Sequence, residues 1–165
     1  MQRGFFSVAV YIGITFLVVA CGHELRESSY HTLADARNDG AVDRGLVPDY
    51  LPQTSRNIHE LHRIEHSKTW CSFEFLPSDS ESLRRTLKRS DKSQLAGMRI
   101  EHPGVSWWPA DFDGNLDVER VTQEGYELFG VDVPATANST SVYLFMIDWS
   151  KGRAFFYQAT HSNRG

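Results

Sequence analysis

Hydrophobic residues alternate with polar ones, or form short apolar runs, in three stretches of the chain. They are residues 68–76 (KTWCSFEFL), 141–149 (SVYLFMIDW) and 153–159 (RAFFYQA). Patterns of this length and period are typical of β-strands. Residues 150–152 (SKG) separate the last two stretches and predict a tight turn between antiparallel neighbours, because glycine tolerates the backbone angles of such turns. We therefore expect an antiparallel sheet that contains all three segments.

Two further segments have weaker strand patterns. Residues 58–66 (IHELHRIEH) mix apolar and polar positions, and residues 119–133 (ERVTQEGYELFGVDV) are strand-like with an interruption at Gly125. Between them, residues 97–118 are rich in proline, glycine and aspartate, which predicts a long loop.

Two segments predict helices. Residues 78–90 begin with Ser78 and Glu81 in capping-box spacing and continue with leucines four positions apart. Residues 33–45 place small apolar residues loosely on one helical face and end at Gly45, a common helix stop. The predicted fold class is α+β, in a single small domain. It has an antiparallel sheet of about four or five strands, with one or two helices packed on one face.

The first twenty residues have the layout of an export signal. Arg3 is their only charged residue, and an unbroken run of apolar and small residues extends from Gly4 to Ala20. Cys21 follows, and the sequence Val-Val-Ala-Cys at 18–21 resembles the lipobox of bacterial lipoproteins. In that family the cysteine thiol carries a diacylglycerol, the chain is cut before the cysteine, and the new amine is acylated. The resemblance therefore makes Cys21 the site of lipid attachment.

Two other interpretations of this segment stay open. An uncleaved transmembrane anchor is one, although a 17-residue helix of about 26 Å is shorter than the ~30 Å hydrocarbon core of a bilayer. A plain secretory signal with an incidental cysteine is the other.

The lipoprotein interpretation divides the chain into four parts. They are a signal peptide at 1–20, a lipidated tether at 21–32, a single α+β domain at 33–160 and a frayed tail at 161–165. The residue after the cysteine is Gly22 rather than aspartate. In the lipoprotein family this favours the outer membrane over the inner one, so we expect an exported protein on the periplasmic face of the outer membrane.

Charge and cysteine content narrow the function classes. The chain has 17 basic and 21 acidic side chains, and loss of Arg3 with the signal leaves a net charge of −5. No basic stripe stands out, which argues against a nucleic-acid partner.

With Cys21 lipidated, Cys71 is the only remaining thiol. An internal disulfide is therefore excluded, and burial of apolar surface must stabilise the core. We interpret Cys71 as a small buried hydrophobe in a strand, with a reactive thiol as the alternative.

Residues 34–65 combine a helix of small residues with a series of short motifs. The motifs are G-A-x-x-R-G at 40–45, P-x-x-L-P at 48–52, I-x-E at 58–60, and later W-W-P at 107–109 and paired aromatics at 155–157. This combination resembles a family of small, uncharacterised bacterial lipoproteins. The resemblance implies a compact envelope domain with a strand at 58–66, and it implies no activity. It also sets Glu65-His66-Ser67 apart from the family's usual turn residues, so the histidines here are peculiar to this chain.

Histidine and glutamate are concentrated at residues 59–66. His62, Glu65 and His66 match H-x-x-E-H, the pattern of inverted zinc peptidases. On a helix the two histidines would share a face and could bind zinc, with Glu65 as general base. On a strand Glu65 would point away from both, and the peptidase geometry fails. We favour a polar strand that lies at the sheet edge or is partly solvated. We keep a zinc-dependent hydrolase as the alternative, with adventitious metal binding or a pH response as a third interpretation.

A second candidate metal site lies in the predicted loop. Four oxygen-bearing side chains alternate there: Asp111, Asp113, Asn115 and Asp117. Such spacing is found in calcium loops. An EF-hand would need glycine at its sixth position and glutamate at its twelfth, where this chain has Leu116 and Thr122. We therefore favour a turn, which uses the same residue types for backbone reasons, over a calcium site.

Trp107 and Trp108 could stack on a sugar or on a partner's proline, but we favour their packing on the core, because each indole buries a large area. The sequence has no nucleophile elbow, P-loop or dinucleotide fingerprint. It therefore predicts a non-enzymatic binding or scaffold module without a cofactor. Its expected partners are the membrane, through the N-terminal lipid, and an envelope protein or cell-wall component.

Overall fold

The computed structural model describes residues 25–64, 67–90, 95, 97–130 and 139–162. Its strands are β1 (Leu25–Thr32), β2 (Arg56–Arg63), β3 (Lys68–Glu74), β4 (Lys88–Arg89), β5 (Arg99–Ile100), β6 (Gly114–Asn115), β7 (Glu127–Gly130), β8 (Ser139–Asp148) and β9 (Arg153–Ser162). Its α-helices are α1 (Leu33–Asn38), α2 (Glu81–Thr86) and α3 (Val118–Gln123), and short 3-10 turns lie at Pro77–Asp79 and Ala110–Phe112.

Seven of these strands form one antiparallel sheet in the order β1-β2-β3-β9-β8-β7-β4. The α+β class is confirmed, but the sheet is larger than the predicted four or five strands. The strands predicted from apolar alternation, β3, β8 and β9, are confirmed and lie next to one another. β9 continues to Ser162, so the predicted frayed tail is wrong for its first two residues.

Strand β1 accounts for part of the larger sheet. It pairs with β2 along its length, from Leu25 opposite Arg63 to Thr32 opposite Arg56. The predicted irregular tether is therefore wrong for residues 25–32. The segment looked like a tether because an edge strand exposed to solvent keeps a polar sequence. β2 lies between β1 and β3, so the edge alternative is wrong for it, while its exposed and half-buried positions agree with the other alternative, a partly solvated strand.

Both faces of the sheet are covered. The first face, which we call face A, is covered by α1, the following loop and α2, through buried residues such as Leu33, Val47 and Leu83. The second face, face B, is covered by residues 95 and 97–126, through residues such as Trp108 and Phe112. Most of the predicted loop at 97–118 therefore packs on face B and shields the core there from solvent.

Helix α3 corrects two predictions. Residues 118–123 form a helix, although a strand was expected from residue 119. The cause is Asp117, whose side chain accepts hydrogen bonds from the backbone N–H groups of Glu119 and Arg120 and so caps the helix. Val121 of this helix packs on face B. Helices therefore cover both faces of the sheet rather than one.

The turn between β8 and β9 follows the sequence prediction. Gly152 has a positive φ of 61°, and its carbonyl oxygen accepts a hydrogen bond of 2.7 Å from the backbone N–H of Phe75. Asp148 accepts hydrogen bonds from the backbone N–H groups of Ser150 and Lys151, which closes the turn.

The predicted signal peptide, Cys21 and residues 22–24 lie outside the described residues, as do Glu65 and His66. Lipid attachment and the predicted domain boundaries at the N-terminus stay predictions. Among the residues that are described, no helix has the length and apolar character needed to cross a bilayer.

Candidate binding site

A buried carboxyl group lies in the middle of strand β2. Glu60 has no exposed surface, because its side chain lies on face A between β1 and β3, with Ser28 and Cys71 as its register partners. Its Oε1 atom is 2.6 Å from Nδ1 of His62, two residues along the same face. Its Oε2 atom has no hydrogen-bond partner among the described residues. Burial of an ionisable group with an unpaired oxygen atom is rare and costs free energy. Glu60 is therefore a candidate functional residue.

The surroundings of Glu60 disfavour its ionised form. Burial raises the pKa of Glu60 more than the hydrogen bond from His62 lowers it. The nearby charge of Arg44 lowers the pKa slightly, and that of Asp39 raises it. Glu60 and His62 are therefore a hydrogen-bonded carboxyl–imidazole pair whose carboxyl group is fully buried and whose imidazole is partly exposed.

A second polar cluster lies beside this pair and ties the loop after α1 to the sheet. The Tyr30 hydroxyl of β1 donates a hydrogen bond of 2.8 Å to Oδ2 of Asp39. Arg44 donates to the same carboxylate oxygen at 3.0 Å and to the Asp39 backbone carbonyl at 2.8 Å. Hydrogen bonds from Tyr30 and then from Arg44 lower the pKa of Asp39. Arg44 is thus held in one orientation at the surface, half exposed.

A groove of about 510 Å³ opens next to Arg44, between the loop at 42–50 and face A of the sheet. Tyr50 lines it from the loop, and Tyr143 and Gln158 line it from β8 and β9. The Gln158 side-chain amide donates a hydrogen bond of 3.3 Å to the Tyr143 hydroxyl. Burial raises the pKa of Tyr50, so its hydroxyl stays protonated at neutral pH. The groove therefore combines one basic residue, two acidic residues, two phenol groups and an amide, which suit a polar ligand with several hydrogen-bonding groups.

The groove and the Glu60–His62 pair belong to the same region of face A. In the register of the sheet, His62 lies opposite Thr69, Thr69 opposite Gln158, and Gln158 opposite Tyr143. One cross-strand row thus runs from the pair to the groove. We call the groove together with this row the face A site.

The structure places His62 on a strand, as favoured from the sequence. The predicted strand at 58–66 is confirmed for residues 58–63, and the observed strand begins two residues earlier, at Arg56. Zinc chelation at i and i+4 of a helix is therefore not available to His62, and its Nδ1 atom is engaged by Glu60. Among the described residues, no group of three or more His, Cys, Asp or Glu side chains is arranged to hold a metal ion.

The alternating oxygen ligands at 111–117 have separate structural roles. Asp117 caps α3, and Asp111 forms an ion pair of 3.5 Å with Arg120. Asn115 lies in β6 opposite Arg99, and Asp113 lines a different, shallow cavity. The turn that we favoured over a calcium site stays a prediction, and the contacts seen here are a helix cap, an ion pair and a strand pairing.

The two tryptophans have different environments. Trp108 is buried on face B, as expected for a core residue. Trp107 is half-buried, stacks on the His59 ring with centroids 5.7 Å apart, and donates a hydrogen bond of 2.8 Å to Glu27. Trp107 therefore links the segment that covers face B to strands β1 and β2. Beside it lies a groove of about 390 Å³ whose wall includes Arg153.

Sequence reasoning passed over Glu60, Arg44 and Tyr30. Glu60 lies in the I-x-E motif of a predicted strand, but the motif alone does not indicate that its side chain is buried. Nothing local connects it to Arg44, because the loop at 39–52 brings the two together only when it folds over the sheet.

One family model is similar to part of the chain. It is described as the YbbD head domain and matches residues 24–74. The matched part includes β1, α1, β2 and β3, and with them Tyr30, Asp39, Arg44 and the Glu60–His62 pair. A search of curated proteins and a search of solved structures each gave no match.

Proposed function

We propose that this chain is a lipid-anchored protein of the cell envelope that acts as a non-enzymatic binding or scaffold module. One observation carries the proposal: an apolar run with a single basic residue before it ends in Val-Val-Ala-Cys, only four residues before the first strand of a folded domain. In the proposed state Cys21 carries the lipid and holds the domain on the periplasmic face of a membrane. We expect this membrane to be the outer one.

The face A site supports a binding role. Its polar groups are positioned by the fold and line an open groove, and its loop side belongs to the part of the chain that is similar to the YbbD head domain. His62 lies on a strand, so it lacks the helical i, i+4 geometry that the zinc peptidase pattern requires, and this favours binding over metal-dependent hydrolysis. The proposed ligand is an envelope protein or a cell-wall component whose polar groups form hydrogen bonds with the groove.

Metabolic labelling with a palmitate analogue tests the anchor. The wild-type chain and Cys71→Ala should both incorporate the label, and Cys21→Ala should not. Globomycin should make a heavier, uncut precursor accumulate. Labelling that persists in Cys21→Ala, or processing that globomycin leaves unchanged, would contradict the lipid anchor.

Photo-crosslinking in intact cells tests the binding role. A photoreactive residue at Asp43, on the exposed wall of the groove, should give one defined adduct, and the same residue at Arg85 on the exposed side of α2 should not. Hydrolysis of peptides, esters or glycans by the purified mature protein, abolished in His62→Ala, would instead identify an enzyme.

A further inference from the structure

The groove beside Trp107 lies on face B, on the other side of the sheet from the face A site. We call it the face B groove. Residues of β2, β3 and β9 line it, among them Asn57, Glu74 and Arg153, together with Trp107 from the segment that covers face B. Its volume of about 390 Å³ is near the lower end of the ~300–1,000 Å³ range of small-molecule sites. The face B groove is therefore suited to a ligand of one or two rings.

A backbone irregularity in β2 places Asn57 at this groove. The register between β2 and β3 shifts between Arg56 and His59, and Asn57 has no register partner on β3. Asn57 has a φ of 48°, which is uncommon for a residue other than glycine. Its side-chain amide donates a hydrogen bond of 3.2 Å to Oε2 of Glu74. Bulges redirect side chains and are frequent beside binding sites, and this one brings the Asn57 amide to the groove.

Three planar polar groups are neighbours in the face B groove. Glu74 lies opposite Arg153 in the β3–β9 register and accepts the hydrogen bond from Asn57. Arg56 also pairs with Glu74, with its Nε atom 3.5 Å from Oε2, from beyond the groove lining. A carboxylate, an amide and a guanidinium group supply acceptors and donors side by side. Adjacent hydroxyl groups of a sugar ring need such pairs, whereas a phosphate would be repelled by the Glu74 carboxylate.

Trp107 adds an aromatic surface to these polar groups. Its indole stacks on the His59 ring and donates a hydrogen bond to Glu27, so it is held in place before a ligand arrives. The negative face of an indole attracts the C–H bonds on the face of a pyranose ring. A proline-rich peptide would also use aromatic rings, but its prolines have no hydroxyl groups to pair with the carboxylate and the guanidinium group. The combined chemistry of the groove therefore favours a sugar.

We propose that the face B groove binds one or two rings of a neutral glycan. Trp107 packs against the C–H face of a ring, and Asn57, Glu74 and Arg153 form hydrogen bonds with its hydroxyl groups. The groove lies on the opposite face from the face A site and needs no lipid anchor, so failure of the proposed function would leave this site intact.

Heteronuclear NMR on the purified full-length protein in detergent micelles tests the site. The probes are four neutral disaccharides, titrated separately: cellobiose, maltose, lactose and N,N′-diacetylchitobiose. Binding is followed by the indole N–H signal of Trp107, which is identified by its absence in Trp107→Phe. A tetraproline peptide is titrated in the same way as the competing ligand class.

Two variants change the groove and one serves as a control. Asn57→Gly removes the amide, and glycine adopts the φ of 48° without strain, so the fold should be kept. Ser67→Gly is the matched control, because Ser67 has a φ of 44° and lies just before β3, at the end remote from Glu74. Arg153→Gln changes a second polar group of the groove at an exposed position. Melting temperatures confirm the fold of each variant.

At least one disaccharide should shift the Trp107 signal in the wild type and in Ser67→Gly, with similar dissociation constants. Asn57→Gly and Arg153→Gln should bind it about fivefold or more weakly, since each loses a hydrogen bond to the sugar. Absence of a shift with all four disaccharides at millimolar concentration would overturn the proposal, as would a shift with the tetraproline peptide alone. Wild-type affinity in both groove variants, or a loss in Ser67→Gly as large as that in Asn57→Gly, would overturn it as well.

Discussion

Addition of one methyl group at Gly152 should strongly destabilise the domain. A Cβ atom built on Gly152 would lie 2.0 Å from the carbonyl oxygen of Phe75, far inside the contact distances that real Cβ atoms show. The same residue has a φ of 61°, which disfavours any side chain. Gly152→Ala therefore combines a backbone clash with conformational strain at the point where the β8–β9 turn contacts the end of β3.

The backbone clash and the positive φ together set the size of the expected destabilisation. A left-handed conformation costs an alanine about 1–2 kcal/mol. Relief of the clash requires the turn to move away from Phe75, which breaks the hydrogen bond from its N–H to the Gly152 carbonyl and costs about 0.5–1.5 kcal/mol more. We expect the free energy of unfolding to fall by about 3 kcal/mol.

Gly45→Ala is the matched control. Gly45 has a φ of 72°, close to that of Gly152, but no atom lies within 4 Å of its added Cβ. This variant should therefore lose only the conformational cost of about 1–2 kcal/mol. The difference between the two variants isolates the contact with Phe75.

Equilibrium unfolding in urea, followed by far-ultraviolet circular dichroism, measures both variants in a mature chain with Cys21→Ser. For a domain of this size, 3 kcal/mol corresponds to a melting temperature lower by about 10 °C. A loss in Gly152→Ala no larger than that in Gly45→Ala would refute the packing of the turn against Phe75.

Three further predictions concern buried titratable groups. Because burial raises the pKa of Glu60, the contribution of this residue to stability is present below its unfolded pKa and is lost as the pH rises through its folded pKa. Urea titrations should therefore show Glu60→Gln gaining stability relative to the wild type between pH 4 and pH 7, and a constant difference would contradict this. Burial alone would raise the pKa of Asp148, but hydrogen bonds from Ser150 and Lys151 lower it to about 2. Asp148→Asn should therefore cost about 2 kcal/mol at neutral pH, from a shift below the ordinary 3.8, and the loss should shrink as the pH falls from about 4 towards 2. Burial also raises the pKa of the Cys71 thiol, so iodoacetamide should alkylate it only in the unfolded protein; alkylation in native buffer at the rate of a free thiol would contradict the burial.

Local patterns predicted the centre of the sheet well. Strands β3, β8 and β9 have apolar side chains on both faces, so their sequences read as strands without knowledge of their neighbours. The turn at 150–152 was predicted for the same reason, since its residue types reflect backbone angles within the turn itself. Strand β1 was missed because it is an edge strand, and its polar sequence acquires a partner only through pairing with β2, about thirty residues away.

The face A site could not be predicted from the sequence, because it also depends on contacts formed by the fold. The H-x-x-E-H spacing drew attention to His62, but the contact of His62 is with Glu60, which lies two residues before it on the same strand face. The positive charge of Arg44 lowers the pKa of Glu60 only because the loop at 39–52 folds over face A and brings the two residues near each other.

The sequence by itself determined the central strands, their closing turn and the export-signal pattern that ends at Cys21, because each depends on residues adjacent in the chain. Only the tertiary structure decided that Glu60 is buried, that residues 95 and 97–126 cover the second face, and that the loop at 39–52 brings Arg44 near Glu60. Those features depend on pairings between distant segments, for which the local sequence carries no signal.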